Sequence, residues 1–240
     1  MLVREVDGSA LCIGQASHAW VSGQIARAWA EELPHREAVC LAAEQHDVGM
    51  AHWDLAPALD PGTGLPLHFM RMPLDVHLRL WSLAPQRLFT QSRVAALLVS
   101  LHGTRLYERR DLGRLEEEQA DTVRAYLAGQ RALQERLAAQ AGLDRGTVER
   151  LQALLFAWDW LSLALCLDWA PDELGGPVPL RLHDGTVEPW PFAADEVTLR
   201  CEGVRLEGRA SSEPELHAML EAAPREELAW TITKGPCGAP

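Results

Sequence analysis

Four apolar segments of the chain each present a side chain able to bind a metal ion or carry a proton. They are His18 in QASHAW, the adjacent pair His46-Asp47 in LAAEQHDVGM, His102 in LLVSLHG and Asp159 in LLFAWDWLSLALC. Asp159 is the most telling. A carboxylate set in an apolar helix loses its hydration, and that loss is costly unless a cation or several donors compensate it. A metal ion shared with histidines is the simplest compensation. Mixed imidazole and carboxylate ligands suit one or two divalent first-row ions (manganese, iron, cobalt, nickel or zinc) better than an all-oxygen magnesium cage. Such an ion acts as a Lewis acid and lowers the pKa of bound water, giving a hydroxide nucleophile near neutral pH.

Helical periodicity must position these groups. From 17 to 33, Val21, Ile25 and Trp29 share a face with His18, and Pro34 stops the run. A second helix is expected over 36–48, ending near Gly49. There His46 continues a stripe with Val39 and Ala43, and Asp47 the adjoining stripe with Cys40. Successive helical side chains diverge by about 100°, so an adjacent pair can flank one ion. Over 92–102, Ala95, Leu98 and His102 share a face and Gly103 ends the run. An amphipathic covering helix spans 114–140. A helix over 147–169 is apolar nearly all round, has Asp159 at its middle, and is closed by Pro171. A lone inward histidine is more often a hydrogen-bonded core residue than a ligand. Only the five residues together point to a metal.

The ends differ in character. LVREV and ALCIG flank an Asp7-Gly8 turn and read as a hairpin, and after 172 the runs PVPLRLH, EVTLRC, VRLEGR and LAWTIT alternate like strands around a helix at 213–223. The expected architecture is therefore mainly α. An all-α core with an N-terminal hairpin occupies 1–171, and a small antiparallel α+β element over 172–240 packs on it, joined by the hairpin. Residues 54–73, rich in proline and glycine, form an excursion directly after the dyad and are a candidate lid.

The order of a histidine, an adjacent His-Asp pair and a later aspartate on a distant helix resembles the HD superfamily of metal-dependent phosphohydrolases, over roughly residues 10 to 170. The segments GQASHAWVSGQIARAW, HDVGMAHWD, LLVSLHG and WDWLSLALC further look like one uncharacterised bacterial HD-like family, a domain of unknown function. The resemblance implies an HD-like helical core. It implies His18, His46, Asp47 and Asp159 as metal ligands, with His102 at a variable position that binds a second metal or a phosphate oxygen. It names no substrate.

Asp54 and Glu44 flank the dyad and are candidates to orient or deprotonate the attacking water. For Asp54 the alternative is a turn residue before the excursion, and for Glu44 a salt-bridged surface side chain. His52 and His68 flank the excursion and are candidates to meet substrate, although loop histidines are commonly inert. Arg71 and Arg105 are placed to clamp a phosphate bidentately, whereas Arg109 and Arg110 read as a solvated basic patch. Trp53 is a candidate stacking surface, while Trp158 and Trp160 read as core.

Composition narrows the partners. A formal charge of −12 over 240 residues argues against a nucleic-acid surface built on phosphate attraction. Five widely spaced cysteines without a Cys-x-x-Cys pair fit free thiols in a reducing cytoplasm. The start lacks a long apolar run, and the most apolar stretch, 151–170, carries two aspartates, so no membrane is expected. The expected partner is a small phosphorylated molecule, a nucleotide among the options, and a homodimer is compatible with this reading. Two rivals stay open: a di-iron HD-type oxygenase, which calls for about six ligands where the sequence offers five strong candidates, and a non-catalytic ligand-binding or regulatory module stabilised by metal.

Overall fold

The structure, a computed structural model, describes residues 1–170 and 172–235; Pro171 and Cys237 lie outside them. The helices are α1 (Gln15–Ala28), α2 (Arg36–Gln45), α3 (Ala51–Leu55), α4 (Leu74–Leu83), α5 (Arg93–Glu108), α6 (Glu117–Ala141) and α7 (Arg145–Leu167), of which α3 replaces the start of the expected excursion. A further helix, α8 (Glu213–Ala222), lies near the end of the chain. Asp144 caps α7 by accepting from Thr147 N at 3.0 Å, and Asp168 ends it in the left-handed region at φ 58°.

The helix expected over 36–48 stops at Gln45, so His46 and Asp47 stand on the turn that follows it and not on helical stripes. Two further boundaries move. Trp29 leaves α1 in an extended conformation and bridges to Phe192. Gly103 does not end α5. A Cβ there would lie 2.6 Å from Tyr126 Oη and 2.7 Å from Trp81 Cε3, so this glycine is the seat for two aromatic side chains inside a continuing helix.

The strands overturn the expectation of a mainly α, all-α fold with a small β element. They are β1 (Leu2–Val6), β2 (Ser9–Ile13), β3 (Leu59–Asp60), β4 (Leu65–Pro66), β5 (Asp172–Leu174), β6 (Leu180–His183), β7 (Thr186–Glu188), β8 (Glu196–Leu206) and β9 (Arg225–Lys234). Seven of them form one mixed sheet in the order β1-β2-β8-β9-β7-β6-β5, curled like a half-barrel, in which only the β7–β9 pairing is parallel. The chain is 53% helix and 20% strand, a mixed α/β architecture.

The physical cause is long-range pairing that local alternation does not reveal. The N-terminal hairpin docks through β2 on β8, so all five residues of β2 are buried. The runs EVTLRC and VRLEGR are one eleven-residue strand. Gly203 stays inside it, because a Cβ there would meet Leu11 Cδ1 and Leu228 Cδ1, both at 3.1 Å.

Helices α1 and α7 pack on this sheet, and one apolar cluster runs from Leu2 and Leu11 through the helices to Leu180, Leu199 and Ile232. α7 is long and apolar enough to cross a membrane, yet 72% of its apolar window is buried inside the protein. Cys12, Cys40, Cys166 and Cys201 are buried free thiols.

Candidate metal centre

Gly23 allows α1 and α2 to approach closely, since a Cβ there would sit 2.7 Å from Glu44 Cβ. That approach places His18 against the turn after α2. His18 Nε2 lies 2.6 Å from Asp47 Oδ2, and His18 Nδ1 lies 3.9 Å from Asp159 Oδ1. His46 Nε2 lies 3.2 Å from Asp159 Oδ1 and 3.6 Å from Asp47 Oδ2, while His102 Nε2 is 3.7 Å from Asp159 Oδ2. The His46 ring stands edge-on between those of His18 and His102, at 5.0 and 4.8 Å between centroids. All five side chains are buried.

The hydrogen bonds behind the rings fix which nitrogen faces the centre. Ser162 Oγ donates its one proton to the Asp159 carbonyl at 2.8 Å, so it accepts from Ser22 Oγ at 2.8 Å and from His18 Nδ1–H at 3.1 Å. His46 Nδ1–H donates to the Ala43 carbonyl at 2.8 Å. In both neutral rings the Nε2 lone pair then points at carboxylate oxygen, a repulsive arrangement unless a proton or a metal ion lies between. His46 Nε2 is buried and has no hydrogen-bond partner among the described residues.

Charge follows from the same geometry. Burial pushes His46 down, but the carboxylates of Asp47 and Asp159 prevail and carry it up to about 9. Burial would raise both aspartates, yet the surrounding imidazoles hold them below the usual carboxylate range. Burial pushes His102 down to about 4, so it is neutral and has a lone pair to offer. Two overlapping ligand groups result, His18 with His46 and Asp47, and His46 with His102 and Asp159; within each, the ligand atoms lie within 4.8 Å of one another. These buried groups could hold a metal ion, and the unsatisfied Nε2 of His46 between two carboxylates is the observation that fits one.

A cleft of about 490 Å³ opens onto His18, Asp47, His102 and Asp159. Its rim includes Phe69, Met70 and Met72 of the excursion, which folds into α3, the β3–β4 hairpin and a 3₁₀ turn at Phe69–Arg71.

The other sequence candidates are not among the residues that line this cleft. Asp54 pairs with the Met1 ammonium at 2.8 Å and accepts from Gln15 N. Glu44 pairs with Arg27, and Arg71 pairs with Asp60. His52 is exposed on α3, while His68 Nδ1 accepts from Met70 N at 3.3 Å and caps the 3₁₀ turn. Arg105 stacks over Phe156, 4.0 Å from the ring centroid, and Trp53 packs against the core.

Residues that line the cleft but were not singled out in the sequence include Gln15, His77, Trp81 and Tyr107, and Arg110, read there as part of a solvated patch, lines it too. Ending α5 at Gly103 hid Tyr107. The i,i+4 spacing of His77 and Trp81 on α4 was the available signal for that pair.

No curated protein and no solved structure is matched by the chain. One family matches over residues 1–208, a span that holds all five buried ligand candidates and β8, leaving out α8 and β9. The chain belongs to that family, described as "Protein of unknown function (DUF3891)".

Proposed function

We propose that the protein is a metal-dependent phosphohydrolase acting on a small phosphomonoester or phosphodiester, in line with the HD-type order of its ligands. The observation that carries this reading is the pair of Nδ1-anchored histidines whose Nε2 atoms face two buried carboxylates at the floor of an open cleft. His18, His46, Asp47 and Asp159 would hold the ion, with His102 either completing a second site or contacting a phosphate oxygen. The nitrogen and oxygen donor set favours manganese, iron, cobalt, nickel or zinc. When bound, the ion supplies Lewis-acid polarisation of a phosphoryl oxygen and a lowered pKa for water.

The chain's own residues orient and shield. Ser22 and Ser162 fix the His18 ring, and the Ala43 carbonyl fixes His46. Asp54 is a positioning residue, since it grips the backbone of Gln15, whose side chain lines the cleft. The reading places the protein in the cytoplasm with a small phosphorylated molecule as its partner, and it requires neither nucleic acid nor membrane.

The test is hydrolysis of a panel of phosphomonoesters and phosphodiesters, read as release of the alcohol, by protein reconstituted with each metal in turn, wild type against Asp47→Ala. Metal-dependent release that vanishes in the variant supports the reading. Metal bound at the site with no alcohol released from any monoester or diester sinks it.

A further inference from the structure

The wall of the cleft above the ligands carries a hydrogen-bond relay that the metal site does not use. Trp81 Nε1–H donates to His77 Nε2 at 2.9 Å, and His77 Nδ1 is bonded to Tyr107 Oη. An indole nitrogen can only donate, so His77 Nε2 must carry a lone pair. The ring is therefore neutral, with its proton on Nδ1. That proton goes to Tyr107, whose oxygen accepts it and keeps its own O–H to donate. Tyr107 is 2% exposed and lines the cleft, and its hydroxyl proton meets no acceptor among the described residues. The neighbouring Tyr126 ring lies 5.5 Å away with its own hydroxyl unpartnered. A buried O–H on a cleft-lining residue, with no acceptor among the described residues, calls for an acceptor from a ligand.

The relay is tied to the ligands, because Trp81 packs on the His102 ring with centroids 5.5 Å apart. Arg110 lies at the same cleft and has no acidic partner among the described residues. The cleft lining also has an apolar part, Phe69, Met72, Leu74 and Leu163, with Met70 and Leu106 its exposed members.

Resting on the phosphohydrolase reading, we propose that Tyr107 is a substrate-binding donor to an anionic phosphoryl oxygen, held in that role by His77. The substrate class is a phosphoric ester whose alcohol part is apolar and lies against the Phe69–Leu74 wall. His77 is a positioning residue. Arg110 adds attraction for the anion at the mouth.

The experiment is calorimetric titration of manganese-loaded protein with phenylphosphonate, methylphosphonate and inorganic phosphate, none of which turns over. Phenylphosphonate binds at least about tenfold more tightly than methylphosphonate, because the ring is buried on the apolar wall. Tyr107→Phe weakens phenylphosphonate about 10- to 100-fold, the scale of one hydrogen bond to a charged group, with manganese content unchanged. His77→Leu reproduces that loss, His77→Gln, which can accept from Trp81 and donate to Tyr107, restores most of it, and His77→Leu adds nothing to Tyr107→Phe. If Tyr107→Phe binds phenylphosphonate as wild type does while Asp159→Ala binds none, the proposal is overturned and the hydrolase reading survives. If manganese-loaded wild type binds none of the three anions, both fall together.

Discussion

Replacing Asp159 by asparagine keeps the shape of the side chain and removes one of the two buried anions facing His46 Nε2. With the metal absent, asparagine spares the fold the desolvation of a charge while depriving protonated His46 of a partner. These effects oppose one another, so the metal-free variant stays folded. The metal-linked term is different. An ion held at 100 times its dissociation constant stabilises the native state by about 2.7 kcal/mol, which for a chain of this size raises Tm by roughly 5 to 10 °C. Loss of an outer-shell partner already weakens metal sites about 10- to 100-fold, so loss of a ligand costs about 100-fold or more. At the same metal concentration the variant then gains only about 0.4 kcal/mol, a shift of roughly 1 to 2 °C. Thermal melts with and without manganese, zinc or iron, paired with elemental analysis, read this directly, and Asp75→Asn on the exposed face of α4 serves as the control. An Asp159→Asn protein that keeps the full metal-induced shift and the wild-type stoichiometry would refute the assignment of Asp159 as a ligand.

Gly103→Ala is expected to cost about 1 to 3 kcal/mol, because its Cβ collides with Tyr126 and Trp81 inside a packed core. Urea unfolding of metal-free protein measures it, and a neutral effect would mean that α5 can slide away from both rings. His77 adds a pH dependence: burial, opposed by Asp47 and assisted by Arg110, takes it down to about 4 from its ordinary 6.5. Between those values the unfolded chain binds a proton that the native state refuses, so stability falls as pH drops through this window, by about 3 kcal/mol in total. Equilibrium unfolding of metal-free wild type and His77→Gln from pH 7 to pH 4 should show the two curves converging by about that amount; parallel curves would show that His77 titrates normally.

The sequence made the candidate ligand set legible because burial of a carboxylate within an apolar helix is a local signal. Asp159 sits among Trp158, Leu161 and Ser162, all buried, and each histidine falls on the apolar face of its own segment. The metal-free geometry among these residues needed no long-range information beyond the helices meeting. The sheet was a different kind of problem. Alternation at the two ends of the chain marked strand-forming stretches, though it split β8 into two runs and left β5 unread, and nothing local in SALCI says that it will lie between β1 and β8, residues nearly two hundred positions apart. Pairing partners are set by the whole fold, so a stretch that reads as a modest hairpin became a buried strand of a seven-stranded sheet.

Gly103 shows why the second half of the cleft stayed hidden. Glycine after a helical run is ordinarily a stop signal, and stopping there removes Tyr107 from the helix and from the site. In the structure the same glycine is selected by contact: it lets Trp81 and Tyr126 close on α5, and only a continuing helix then carries Tyr107 one turn further to His77. A glycine whose missing side chain is filled by aromatic rings cannot be told from a helix terminator by sequence period alone. The rings that fill it come from α4 and α6, and those contacts exist only once the helices have packed.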